Sequence, residues 1–294
     1  MSQNELQKYI FEILGKNFDR ELSFQIDNPS ERYFWYRKRK QVANLIKKNI
    51  ALFSKPDNNE QEYLFVDVGC GEGLDIFLLR DLFEKLQINN YRFLGLDGFP
   101  LSYEIAKAKK EYFGKPNIDF ALVDLTQKLA LENDSVDVIY CSEVVEHLIT
   151  PENLLNEFRR VLKSGGYLIL TTPNEPNLLQ KAFWVSSAKE KVKLVVKNRI
   201  NNPIKVTIEE KELCLYDHIS CRKANQWDKT LSSIGFDLVD YRRGALIYGA
   251  RDFENWDFVL GFRFLLEGIL DLLPKSLTRQ ISDQMITLYK LKDK

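Results

Sequence analysis

Histidine and cysteine are scarce in this 294-residue chain, which holds two of the first and four of the second. The cysteines, Cys70, Cys141, Cys214 and Cys221, form no C-x-x-C pair, and in a chain of this length they argue against a disulfide framework. Net charge is missing too: 42 Lys+Arg balance 42 Asp+Glu, so no global field points to nucleic acid or an acidic surface. Any electrostatic recognition must be local. The N-terminus, Met1 to Leu6, lacks a basic region followed by an apolar stretch, so no signal peptide is expected and a cytoplasmic location is the default. Internal repeats and low-complexity tracts are absent. The most apolar stretch, 256–273, carries Arg263, Glu267 and Asp271 and is too charged and too short to span a bilayer. It is expected to lie buried under a lid, in a homodimer interface, or against lipid as a peripheral membrane contact, burial within the protein coming first.

What the chain does contain is the run Phe65-Val66-Asp67-Val68-Gly69-Cys70-Gly71-Glu72-Gly73, an apolar strand that ends in an acid and enters three alternating glycines. Glycines at alternate positions permit a tight turn and the close approach of a ligand. Leu74 to Leu79 then opens a helix whose first amides face that turn. The spacing is G-x-G-x-G, so the dinucleotide fingerprint G-x-G-x-x-G and the Gly-Lys-Ser/Thr ending of a phosphate loop are both excluded. With Asp67 and Glu72 beside the turn and no lysine there, a pyrophosphate is disfavoured and a cationic ligand favoured.

From about residue 62, short β-branched runs alternate with amphipathic runs, the pattern of a parallel sheet covered by helices. Strands are expected at 63–68, 91–96 (ending at Asp97), 118–123, 136–140, 167–171, 236–241 and 284–290. Helices are expected from 74 to about 86, over 102–113 and over 151–162, the last stopped by Ser164-Gly165-Gly166. The expected fold is α/β, doubly wound, in one domain over 1–294. It comprises N-terminal helices over 1–55, a core over 60–175, and helical insertions over 174–215 and 244–280 that cap the substrate.

The glycine run resembles motif I of the Rossmann-like, class I methyltransferases that use S-adenosylmethionine (SAM), closely over about 60–175 and more loosely towards both ends. The resemblance implies a seven-stranded, mostly parallel sheet whose last strand is antiparallel. It implies cofactor binding by Asp67, Gly69, Cys70, Gly71 and Gly73, with Ser142 at the end of the fourth strand. Asp97, followed by Gly98, would accept ribose hydroxyls or cap the next helix, and Asp124 with Leu125 would meet the adenine or form a turn. The string Tyr33-Phe34-Trp35-Tyr36-Arg37-Lys38-Arg39 resembles the H-F-W-F-x-x-R motif of a bacterial branch acting on small molecules, with Tyr33 in the place of His. It would form an aromatic lid with Arg37 or Arg39 on the methionine carboxylate, or else a helix docked on the sheet with its cations in water.

Ser142-Glu143-Val144-Val145-Glu146-His147-Leu148 follows the fourth strand. If it is helical, Glu143, Glu146 and His147 share a face. With the distal His218, the set resembles that of small-RNA 2'-O-methyltransferases, where it holds Mg²⁺, and equally that of ubiquinone-pathway O-methyltransferases. Three readings stay open: a metal site of Glu143, Glu146, His147 and His218; catalysis by His147, Glu146 or His218 as base or hydroxyl-orienting group; and a structural role. The basic segment 189–199 reads as a solvated face or a phosphate contact. The favoured function is O-methylation of a small-molecule or lipid-linked metabolite such as a saccharide or quinone-like phenol. Its rivals are a metal-assisted RNA 2'-O-methyltransferase, against which zero net charge counts, and a non-catalytic SAM-binding protein.

Overall fold

The computed structural model describes residues 29–54, 62–174, 204–208, 211–215, 218–245, 257–274, 279, 282 and 284–294. Its elements in chain order are α1 (Pro29–Lys48), α2 (Ile50–Phe53), β1 (Tyr63–Val68), α3 (Leu74–Lys85), β2 (Tyr91–Asp97), α4 (Pro100–Phe113), β3 (Ile118–Leu122), β4 (Val136–Ser142), α5 (Pro151–Val161) and β5 (Leu162–Pro173). There follow β6 (Ile204–Ile208), β7 (Lys211–Leu215), α6 (Ala224–Ile234), β8 (Phe236–Arg243), α7 (Asp257–Leu272) and β9 (Gln284–Leu291).

Seven strands form one sheet in the order β3-β2-β1-β4-β5-β9-β8, and only β9 runs antiparallel, between β5 and β8. This is the expected sheet. Strands β1 and β4 bury nearly every residue, which explains why their sequences read as continuous apolar runs rather than alternating ones. One face packs α5 and α6 through Leu154, Leu155, Phe158, Trp227 and Leu231; the other packs α1 and α3 through Leu45, Ile46, Ile76 and Phe83. Strand order reverses between β1 and β4, so their carboxyl ends flank the crevice where open α/β sheets bind ligands.

Two expectations change. Ile204–Ile208 and Lys211–Leu215 pair as two antiparallel strands rather than forming helix, as the period-2 alternation of Ile204-Lys205-Val206-Thr207-Ile208 permits. Residues 175–203 of the first insertion lie outside the described residues, while the second insertion does contain a helix, α7. Ser164-Gly165-Gly166 is not a break between α5 and β5. The strand begins at Leu162, and the glycines, with Gly165 at φ +73°, sit at a register shift against β4.

Candidate functional site

The turn after β1 places Gly69, Gly71 and Gly73 at φ +78°, +53° and +81°. A Cβ on Gly69 would lie 2.2 Å from Val144 Cγ2, whereas a Cβ on Gly71 would meet nothing within 4 Å. The first glycine lets the segment after β4 close against the turn; the second leaves the turn's outer side open. Gly69 and Cys70 donate their amides to the Leu96 carbonyl at the end of β2. Asp97 completes the bracing: its Oδ2 accepts the Gly71 amide at 2.7 Å and its Oδ1 the Phe99 amide at 2.8 Å. It thus ties the turn after β1 to the segment that leads into α4.

Above the turn lies a cleft of about 600 Å³, with Asp67, Gly71, Tyr140 and Glu143 among its lining and Trp35 and Lys38 of α1 facing them. Asp67 is 1% exposed and its Oδ2 has no hydrogen-bond partner. Burial, reinforced by the nearby Asp75, pushes its carboxyl well above the ordinary range. Asp75, in the first turn of α3, behaves oppositely. Burial alone would raise it, but Lys38 and Arg39 outweigh that and hold it well below the ordinary range. Lys38 Nζ lies 3.0 Å from Asp75, Arg39 pairs with the same carboxylate, and the Tyr140 hydroxyl donates to it at 2.9 Å.

Among the expected cofactor residues, Asp67, Gly69, Cys70, Gly71, Ser142 and Arg39 line this cleft. Asp97 and Gly98 stand directly behind the turn, and Gly73 caps α3. Asp124 and Leu125 lie beyond β3, outside the cleft lining, where the Asp124 carboxylate accepts the Thr126 amide at 2.8 Å and its hydroxyl at 2.6 Å. Arg37 turns away from the cleft: it pairs with Glu267 and Asp271 of α7. The side chain of Tyr33 lies outside the described residues. Trp35, from the string expected to form an aromatic lid, does line the cleft, whereas Lys38, Asp75 and Tyr140 had been given no role from the sequence. Only Asp75 left a signal, as an acid in the first turn of the helix that follows the glycines. The cations also revise the electrostatic argument. Lys38, Arg39 and Lys109 reach the cleft from distant positions, Lys109 pairing with Glu72 at 3.1 Å, so preference for a cationic group rests on Asp67.

Beyond β4, Glu143 adopts φ +56°, a costly conformation for a non-glycine residue that the surrounding contacts must hold. Its Oε1 accepts the Thr171 hydroxyl at 2.8 Å and the Gln284 side-chain amide at 2.7 Å. Lys38 donates to Ser142 Oγ at 2.7 Å, and Ser142 Oγ lies 2.9 Å from Thr171 Oγ1, so a polar chain runs from α1 to β9. The helical turn begins only at Val145 and is a single 3-10 turn, Val145–His147. Glu143 therefore does not share a helix face with Glu146 and His147.

Glu146 is fully buried. Its Oε2 accepts the Thr172 hydroxyl at 2.9 Å, its Oε1 has no hydrogen-bond partner, and burial followed by the charge of Glu143 raises its carboxyl well above the ordinary range. His147 Nε2 stands 3.8 Å from that oxygen, and the His147 and His218 rings meet edge-on at 4.9 Å. The distal histidine arrives because the Glu146 carbonyl accepts the amides of Ile219 and Ser220 at 2.8 and 2.9 Å. Ligand atoms of Glu146, His147 and His218 all lie within 4.8 Å of one another, and Glu143 is not in that group.

Residues 66–170 match a family described as a methyltransferase domain. The chain is 24% identical over 188 residues to the ubiquinone/menaquinone biosynthesis C-methyltransferase UbiE of Campylobacter jejuni, covering 62% of this chain and 74% of that protein. It is 26% identical over 184 residues to the malonyl-[acyl-carrier protein] O-methyltransferase of a Marinomonas species, covering 62% of this chain and 63% of that one. Its fold is similar to that of the YcgJ protein from Bacillus subtilis, with a TM-score of 0.51 at 15% identity over 86% of this chain and 98% of the other. Residues 66–170, which begin in β1 just before the glycine turn and run through most of β5, are thus similar in sequence to a methyltransferase domain, and the sheet they belong to has a fold like that of the YcgJ protein.

Proposed function

We propose that the chain transfers a methyl group from SAM to a hydroxyl oxygen of a small or lipid-linked metabolite, with the Glu146, His147 and His218 cluster receiving the hydroxyl proton. Two features of the cleft fit the cofactor: the orphaned Asp67 Oδ2 suits an ammonium group, and the open space over Gly71 suits a ligand pressed against backbone. SAM supplies an electrophilic methyl on a positively charged sulfur, so the protein's task is alignment and proton removal. Asp67 holds the amino end, Arg39 receives the carboxylate, and Asp97 keeps the turn closed while offering its remaining lone pairs to ribose hydroxyls. Trp35 walls the cleft. Transfer of that methyl to the acceptor oxygen would require the hydroxyl proton to leave, and His147, whose Nε2 stands 3.8 Å from Glu146 Oε1, would take it.

The observation that carries this reading is the imidazole pair immediately after β4, the strand whose last residue, Ser142, lines the cofactor cleft. Among the two named relatives one is a C- and one an O-methyltransferase, so the histidines, not the relatives, favour oxygen. A panel of saccharides, phenols and lipid-linked alcohols assayed for S-adenosylhomocysteine release should give turnover with hydroxylated acceptors. Turnover confined to carbon or amine acceptors would refute oxygen transfer.

A metal-assisted version has its own support, because Glu146 Oε1 is orphaned within reach of two imidazoles. Two nitrogens and one carboxylate suit Zn²⁺, Mn²⁺ or Fe²⁺ better than Mg²⁺, which prefers oxygen ligands. Calorimetric titration with MnCl₂, ZnCl₂ and MgCl₂ separates the versions. Binding of the first two that disappears in His218→Ala supports the metal; no binding of any ion leaves His147 as a metal-free base.

A further inference from the structure

Helix α7 is amphipathic in the wrong sense for a surface helix. Glu267 points inward, fully buried against Arg37 and Arg243, and Asp271, though partly exposed, pairs with the same two arginines. The helix's large apolar side chains point outward, with Phe262 66%, Leu265 64%, Ile269 52% and Leu272 86% exposed. These four recur at steps of 3, 4 and 3, which on a helix draws one narrow stripe. Gly268, on the same side, has nothing within 4 Å of where a Cβ would stand. No charged residue falls on the stripe among the described residues. A helix that commits Glu267 and Asp271 to arginines of the fold and leaves these four hydrophobes outside is built to be covered.

We infer that the cover is a second copy of this chain, with α7 pairing against its twin across a two-fold axis. The 3-4-3 spacing is the seam by which one helix packs on another, and the bare Gly268 lets a partner backbone approach closely. The exposed parts of the four side chains, at roughly 150–250 Å² for a large side chain, amount to about 500 Å² per copy. Doubled by symmetry, that reaches the roughly 1,000 Å² a specific interface requires. Charge argues against the alternative of a membrane. Helices that lie on anionic lipid carry lysine and arginine on their polar face, whereas α7 has Asp257, Glu267 and Asp271 against Arg263 alone. No described helix is long and apolar enough to cross a membrane. The pairing also reaches the cofactor cleft, since Arg37, which anchors α7, directly precedes Lys38 in α1.

Sedimentation velocity of the full chain tests the inference. The wild type should run at twice its 34.4 kDa mass, and Leu265→Glu/Ile269→Glu should run at 34.4 kDa with an unchanged circular dichroism spectrum. A monomeric wild type, or a double variant that folds and still dimerises, would overturn the pairing. A second readout does not depend on that variant's folding. Gly268→Cys should give a disulfide-linked dimer on mild oxidation, and Lys229→Cys, exposed on α6, should not; failure of Gly268→Cys to cross-link in preference to the control would also overturn it. In the same preparations, pelleting with phosphatidylcholine/phosphatidylserine vesicles that is lost in Leu265→Glu/Ile269→Glu would assign the stripe to lipid and end the proposal.

Discussion

Asp67→Asn is expected to weaken SAM binding about 100-fold while making the free protein more stable at neutral pH. The carboxylate sits at the floor of the cleft with one oxygen unsatisfied, so in the free protein its charge is buried and uncompensated. Asparagine keeps the shape and removes the charge. Losing one partner of a buried pair costs about 3 kcal/mol, which is the ~100-fold weakening. The pH dependence has a definite sign. Because the folded-state carboxyl is raised by burial, Asp67 penalises folding only above the ordinary carboxylate range, and the penalty grows as pH climbs towards its raised value. The melting-temperature advantage of Asp67→Asn should therefore be present at neutral pH and vanish in acid. SAM affinity of the wild type should fall as pH is lowered through that same raised value, since a protonated Asp67 cannot pair with an ammonium. Asp75 titrates in the opposite direction: held low against its burial by Lys38 and Arg39, it contributes stability that is lost only when acid protonates it. Comparing the variant with wild type at each pH cancels that contribution. Equal affinity in the two proteins would remove Asp67 from the cofactor site.

His147→Ala is expected to lower turnover by roughly 10²- to 10⁴-fold, the range for removing a positioned general base, with SAM affinity held within about two-fold. The split follows from position. His147 is not part of the cleft lining, and the 3-10 turn that carries it is held by backbone bonds that alanine preserves, from His147 N to Val144 O and from Ile219 N to Glu146 O. Single-turnover rates of S-adenosylhomocysteine formation, together with calorimetric SAM affinities, separate the two effects. An unchanged rate would return the cluster to a structural role; loss of rate and of SAM binding together would mean that the turn had collapsed.

The sheet was legible in the sequence because its central strands, β1 and β4, are buried on both faces and read as nearly unbroken apolar runs: Tyr63–Val68 was bounded to the residue, and the neighbouring Tyr91–Asp97 to within one. The glycine turn was legible because its spacing encodes a backbone conformation, later seen as three positive φ angles. Side-chain destinations were not legible. Nothing local distinguishes Arg37, which leaves for α7, from Lys38 and Arg39, which enter the cleft, because the difference is set by carboxylates 234 and about 37 positions away. Glu143 read as a fourth ligand beside Glu146 and His147 because a helix was assumed across the whole segment. Its positive φ and its bond to Gln284, 141 positions distant, turn it elsewhere. His218 was singled out by scarcity, being one of two histidines, and its tether through Ile219 and Ser220 is a tertiary fact that no sequence periodicity carries.

The central claim, that the cleft above Gly69 to Gly73 is a SAM site, is most directly tested by calorimetric titration of the full chain with SAM. One site per chain, competed by S-adenosylhomocysteine and weakened by Asp67→Asn, is the predicted result; the absence of binding by both SAM and S-adenosylhomocysteine would contradict it.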